Sequence, residues 1–392
     1  MIPKVNITLL SGTLGAISAG NDGVAGIVIG CDPTGTSITA GDKFTLRSMD
    51  DAKVAGLDGI PYAYQQIAEF YAEAGIGAKL YVLISGNTET LTDMADMASG
   101  NFYGKKLLDY AQGEISILGI CRKPAAGYTP VTTSGIDGDV HTALAKMQAM
   151  AAAYLTAYNP FVGIIEGRSY QGVPATLTDL TTGDDNHVGV ILAASKDLNT
   201  IDPAAASVGL LLGRAAAVPV QRKVARVKDG ALAITGAYYA AATAEATDIT
   251  SIDAKGYITI GTFPNKAGYF FMDDLLATAT TDDYRTISLR RTMNKMVRLA
   301  YSTYINEVND DIELTSEGKL SPATAKFYEG LINNAINGAM TAAGELSSFS
   351  AYVDPAQNVL STSKVVIRCA AVPKGYSQQI DVILGFSNPA LA

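Results

Sequence analysis

The run VAGIVIGC, residues 24–31, decides the fold. It is apolar throughout and closed by Gly23 on one side and Asp32-Pro33 on the other. An unbroken apolar run of this length between turn residues reads as a strand buried on both faces. Working outward, KLYVLIS (79–85), ISILGIC (115–121), 161–166 and 187–194 repeat the pattern. Segments 46–57, 61–74, 89–97, 139–158 and 203–217 read as the intervening helices. The best marked is 61–74: Pro61 suits a first helical turn, Ile67, Phe70, Tyr71 and Ala74 share one face, and Gly75 and Gly77 stop it. Strand and helix alternating at this spacing predict a parallel or mostly parallel sheet with helices on both faces.

The pattern changes after Pro219. Residues 220–256 are polar and Ala/Thr-rich and carry no assignable element, while 257–261 and 267–272 read as a hairpin around Pro264-Asn265. Helices are expected over 282–307, started by Asp282-Asp283, and over 322–343, started by Ser321-Pro322. Residues 349–386 read as antiparallel β with turns at Asp354-Pro355 and Pro373-Lys374-Gly375. The expected fold class is α/β, a mostly parallel sheet core flanked by helices, followed by an α+β C-terminal domain. The expected division is 1–23 (N-terminal β-arm and linker), 24–218 (α/β), 219–375 (α+β) and 376–392 (C-terminal β-arm).

The two arms follow from period-two spacing. Val5, Ile7 and Leu9 alternate with Asn6 and Thr8; Ile380, Val382 and Leu384 alternate with Asp381 and Ile383, and Phe386 keeps the phase. Such strands have one buried face. The first is joined through the Gly/Ser/Ala-rich segment 11–23, which frees it to pair outside its own domain. Strand addition to a sheet edge is a recurrent way for one protein to hold another.

Composition narrows the function. The chain of 392 residues is 48% hydrophobic and 17% charged, against roughly 25% charged in an average globular protein. Much of its surface is therefore uncharged, which suits a protein covered by copies of itself. A net charge of −9 argues against nucleic acid as a partner. Cys31, Cys121 and Cys369 are few, odd in number and far apart, and read as free thiols in a reducing compartment. Lys4 and Asn6 interrupt any signal-peptide run, and the most apolar stretch, 204–212, stops at Arg214, well short of a membrane span. The expectation is a soluble cytoplasmic product without membrane insertion.

Motifs for chemistry are weak. GRSYQG (167–172) has one residue too many for a nucleophile elbow. In GTSITAGDK (35–43), Asp42 separates the glycine from the lysine that a phosphate loop places directly after it. His141 and His187 begin a helix and a strand and read as surface or capping residues. The acidic pairs Asp184-Asp185, Asp273-Asp274, Asp282-Asp283 and Asp310-Asp311 read mainly as helix caps and solvated turns. No catalytic, cofactor-binding or metal-binding residue is assigned, and no cofactor is expected. Arg291, Lys295 and Arg298, at i, i+4 and i+7, share one helix face. That face is either solvated or a docking face for an acidic partner.

The segment order carries a resemblance: a β-arm, an α/β core, GYITIGTFPNKAGYFFMDDLLA, DDYRTISLRRTMNKMVRLAYSTYINEVND, a second helix and VVIRCAAVPKGYSQQIDVILGF. Together they resemble the sheath protein of contractile phage tails and related contractile injection particles, most closely over the last third. The resemblance implies a structural subunit, not an enzyme. Such subunits stack as hexameric rings or helical strands around an inner tube, and also meet baseplate and tail terminator proteins. They assemble in the bacterial cytoplasm into a virion tail or injection particle. It implies that Val5, Ile7 and Leu9 form the N-arm and Ile380, Val382, Leu384 and Phe386 the C-arm, each adding a strand to a neighbour's C-terminal sheet. It also implies a tube-facing helix, for which Arg291, Lys295 and Arg298 are the candidates and Lys326 the alternative. An α/β enzyme with an unrecognised ligand site, or another self-assembling shell protein, is the competing expectation.

Overall fold

The computed structural model describes residues 22–98, 100, 102–378 and 380–382. Its centre is a sheet of six strands: β1 (Ala25–Gly30), β2 (Lys43–Leu46), β3 (Leu80–Ser85), β4 (Ile117–Arg122), β5 (Val162–Glu166) and β6 (Val188–Ile191). Their order is β2-β3-β1-β4-β5-β6, parallel except for β2, which runs against β3. The five parallel strands are those expected from the apolar runs, and every residue in them is buried. The sequence reading missed β2: only its last residue, Leu46, is buried, so it has no apolar run.

Helices cover both faces. On one side α1 (Pro61–Ala74) packs against α4 (Val208–Ala217); on the other lie α2 (Tyr103–Tyr110) and α3 (Gly138–Thr156). Glycine sets how closely α1 and α4 approach. A Cβ at Gly209 would stand 1.9 Å from the Gln66 carbonyl oxygen, and one at Gly213 2.4 Å from that of Phe70. Gln66 also satisfies the start of α4, accepting from Gly209 N (2.8 Å) and donating to Ala206 O (3.0 Å).

The first body extends further than expected. Val224, Leu232, Tyr239, Ile252, Tyr257 and Ile258 belong to the same core as β1. Ile258 adds alongside the free edge of β6, with Ile258 N donating to Val190 O (2.8 Å) and Leu192 N to Ile258 O (3.2 Å). The boundary placed at 218–219 therefore cuts through one core. Residues 224–277 supply side chains to the first core, and Ile258 covers the open parallel edge of β6. The hairpin expected over 257–272 is present as Ile260–Gly261 against Phe270–Phe271.

The second body is α5 (Ile287–Tyr304), α6 (Pro322–Ile336) and an antiparallel pair, β7 (Leu346–Val353) and β8 (Ile367–Pro373). Met296, Leu299, Ile332, Ile336, Leu346 and Phe349 form its core. Ser321 caps α6 with Pro322 in the first turn, as expected. The cap of α5 is Thr286 instead of Asp282-Asp283, its side chain accepting from Leu289 N at 3.2 Å. Asp282 stabilises the preceding turn, accepting from Tyr284 N (2.6 Å) and Asn186 Nδ2 (3.0 Å). Among the described residues, no helix is long and apolar enough to cross a membrane.

Candidate functional site

The two edges of the β7–β8 sheet differ. Along β7, Phe349, Ala351 and Val353 turn their backbone groups away from β8, and side chains from α6 and its C-cap bond to three of them. Asn333 Oδ1 accepts from Ala351 N (3.0 Å), Glu329 Oε1 from Val353 N (3.0 Å), and Asn337 Nδ2 donates to Phe349 O (3.4 Å). Glu329, Asn333 and Asn337 stand at i, i+4 and i+8, so one stripe of α6 seals this edge. The stripe was missed from sequence, although its polar spacing beside Ile332 and Ile336 was legible.

The edge of β8 is open. Ser348, Ser350 and Tyr352 oppose Val372, Ala370 and Arg368, so Ile367, Cys369 and Ala371 point their backbone groups outward. Among the described residues, no hydrogen bond reaches those outward groups. Beside Ala371 and Pro373 lies a groove of about 620 Å³, lined by Leu289, Met293 and Met296 of α5 together with Leu346, and otherwise by the polar segment 280–285 and Thr292. A two-stranded sheet is marginal alone. Here an open strand edge and a partly apolar groove lie side by side, which can take a strand with one apolar face.

The expected donor residues fall mostly elsewhere. Val5, Ile7, Leu9, Leu384 and Phe386 lie outside the described residues. Ile380 and Val382 are 77% and 70% exposed and belong to no strand.

The candidate tube-facing cations are not on a free surface, and that expectation is corrected. Arg291 and Lys295 are 2% and 8% exposed. Arg291 Nη2 donates to Asp22 O (2.7 Å), and Lys295 Nζ to Asp22 Oδ2 (2.5 Å) and Glu345 Oε1 (2.8 Å). Arg298 Nη2 donates to Ile115 O (2.9 Å) and Pro160 O (2.7 Å), just ahead of β4 and β5. Carbonyls at the strand starts need donors; Arg291 and Arg298 supply them across the junction of the two bodies, while Lys295 pairs with the carboxylates of Asp22 and Glu345. Burial lowers the Arg291 pKa to about 10, with Asp22 the main opposing charge. Lys326, by contrast, is exposed on α6 and reaches Glu329.

The remaining motif residues also serve the architecture. His187 is buried, and its Nδ1 accepts from Arg290 Nε at 3.0 Å. Burial first, then the Arg290 charge, lowers its pKa to about 4. The crevice past the carboxyl ends of β1 and β4, where doubly wound sheets hold ligands, is filled. Arg122, 2% exposed, donates to Glu89 O (3.0 Å) and lies 4.5 Å from the centre of the Tyr128 ring. Beside it Glu166 accepts from Arg122 N (2.9 Å), Ala206 N (3.1 Å) and Tyr62 Oη (2.8 Å), and burial raises its pKa. Among the described residues, no cluster of His, Cys, Asp and Glu is arranged to hold a metal ion.

Comparisons with known proteins agree with this architecture. The model described as DUF2586, N-terminal domain, matches residues 2–275, and that described as DUF2586, C-terminal domain, matches 283–391. The division between them falls where α5 begins the second body. No curated protein matches in sequence. Among solved structures, a chain of the anti-feeding prophage helical sheath in its contracted state is similar at 16% identity and a TM-score of 0.62, over 99% of each chain. A chain of the anti-feeding prophage baseplate in its contracted state is similar at 15% identity and a TM-score of 0.64, over 99% of each chain. A chain of the PVC sheath complex of an extracellular contractile injection system, also contracted, is similar at 14% identity and a TM-score of 0.52, over 100% of this chain and 99% of that one. Over the described residues the fold is therefore that of contractile sheath subunits.

Proposed function

We propose that this chain, which belongs to the DUF2586 family, is the structural subunit of a contractile sheath and polymerises around an inner tube by exchanging terminal strands between neighbours. One observation carries the reading: among the described residues the outward edge of β8 is unpaired beside a groove that includes Leu289, Met293 and Met296, while side chains from α6 bond to the other edge of the same sheet. A neighbour's arm completes that sheet. Burying three aliphatic side chains such as Val5, Ile7 and Leu9 contributes on the order of 5–9 kcal/mol. The ladder bonds, about 0.5–1.5 kcal/mol each, roughly offset the ordering of the backbone at about 1–2 kcal/mol per residue. The apolar face therefore decides whether the arm holds.

In this reading, subunits form hexameric rings stacked helically, with baseplate and terminator proteins at the ends and a tube inside. With Arg291, Lys295 and Arg298 occupied within the subunit, the exposed side of α6 around Lys326 is the tube-facing candidate. Contraction is a rigid-body rearrangement to a lower-energy lattice, the arms acting as tethers and no nucleotide being consumed. The particle is a virion tail or injection device assembled in the bacterial cytoplasm. Deleting residues 1–10 tests the reading. The expected product is a folded subunit with a wild-type melting curve that forms no tubes by electron microscopy. Tubes from the truncated chain overturn it.

A further inference from the structure

Resting on the strand-exchange reading, we infer that Lys295 and Tyr376 are positioning residues for assembly. Lys295 holds the root of one arm to the base of the β7–β8 sheet and Tyr376 holds the root of the other to Gln221, so that donor arms and acceptor edge leave each subunit at a preset spacing.

The amino-terminal root is Asp22, the last residue before the first body begins. Its carbonyl accepts from Arg291 Nη2 (2.7 Å) and Ser116 Oγ (2.9 Å), and its carboxylate from Lys295 Nζ (2.5 Å). The same ammonium reaches Glu345 Oε1 at 2.8 Å, one residue before β7 starts. A single lysine thus ties the donor root to the acceptor root. Glu345 and Lys295 are both buried, so the tie is shielded from salt.

The carboxyl-terminal root is held a short way off. Three residues after β8 ends, Tyr376 Oη donates to Gln221 O, and its ring lies 5.7 Å from Lys223 Nζ. Gln378 Nε2 follows, donating to Asp273 Oδ2 at 2.7 Å. Ile380, two residues on, is 77% exposed. The two anchors share one segment, since Arg291 Nη2 also donates to Val218 O (3.4 Å), close to Gln221. Both exits and the acceptor sheet converge on α5 and residues 218–223.

The consequence is preorganisation. An arm hung from an untethered root must be ordered from there onward at each binding event, and fixing a root in advance removes part of that cost. It also restricts which neighbours an arm can reach, which favours one lattice over several.

The test uses the full chain with Tyr376→Phe/Gln378→Ala, Lys295→Met and Lys295→Arg, beside the 1–10 truncation. Tyr376→Phe/Gln378→Ala removes the tail's bonds to Gln221 O and Asp273 Oδ2, so its melting temperature is expected to fall by no more than a few degrees. Its threshold concentration for tube formation is expected to rise between about twofold and tenfold, and its tubes to vary in helical twist. Lys295→Met is expected to show both assembly effects and Lys295→Arg to reverse them in part. A tail variant with wild-type threshold and uniform twist overturns the inference, whatever Lys295→Met does to folding. If the 1–10 truncation fails to assemble in that case, strand exchange stands and only the positioning role falls. If the truncation still forms tubes, strand exchange itself falls.

Discussion

Proline at position 371 separates the open edge of β8 from its paired edge. The N–H of Ala371 points away from β7, while that of Ala370 lies in the pair with Ser350. Proline is tolerated on an outward edge because it removes no internal ladder bond. Ala371→Pro is therefore expected to leave the melting curve of the isolated subunit within about 0.5 kcal/mol of wild type. In the assembly it removes one inter-subunit bond, about 1 kcal/mol, and its ring stands where the partner strand must approach. With about 1.4 kcal/mol per tenfold, the threshold for polymerisation should rise by about fivefold from the bond alone, and further from the steric term. Ala370→Pro is the control: it breaks the internal ladder and should cost about 1–3 kcal/mol of subunit stability. The assays are urea unfolding of dilute subunit, and pelleting with electron microscopy across a concentration series. An Ala371→Pro variant that polymerises at the wild-type threshold refutes the open-edge argument. So does one that unfolds as readily as Ala370→Pro, because Ala371 would then face β7.

Other expectations concern the body. Gly209→Ala places a Cβ 1.9 Å from the Gln66 carbonyl oxygen; it should cost about 1–3 kcal/mol by forcing α1 and α4 apart, read as a lowered urea midpoint. Arg298→Met leaves the Ile115 and Pro160 carbonyls without their donor; at about 1–3 kcal/mol for each unsatisfied group, melting should fall by several degrees with assembly lost only in proportion. The His187 pKa drops from the usual 6.5 to about 4 in the folded protein, so the unfolded chain binds more protons between those values. Stability should rise with pH across that window, by about 3 kcal/mol in total from this group, and be lost on acidification. The buried Glu69, with its pKa raised to about 7, slopes the other way. The difference between wild type and His187→Gln, measured by urea midpoints at pH 4.5 and 7, isolates the histidine; identical slopes in the two proteins contradict its buried neutral state.

The parallel strands and α1 were legible because their signals are local. VAGIVIGC has one side-chain environment on both faces, and Pro61 and Gly75 mark the ends of their helix within a few residues. The short helix α2, YGKKLLDY, was passed over because it spans eight residues and its buried face is only Tyr103, Gly104, Leu107 and Leu108. Residues 220–256 were unreadable for a different reason: Tyr239 is buried and donates from its Oη to Ile260 O, outside that segment, and is not marked by a period of its own.

What the sequence by itself determined is the class of fold, the order of its segments and the presence of alternating apolar ribbons at both ends, since each depends on short-range spacing. Tertiary structure alone decided which groups remain available. Arg291, Lys295 and Arg298 have the spacing of a solvent-facing stripe, yet carbonyls ahead of β4 and β5, together with Asp22, draw them inside. The two edges of the β7–β8 sheet likewise look alike in sequence, and only the docking of α6 bonds to one and, among the described residues, leaves the other open. A backbone edge is free or satisfied according to what packs beside it, and no periodicity within the strand records that neighbour.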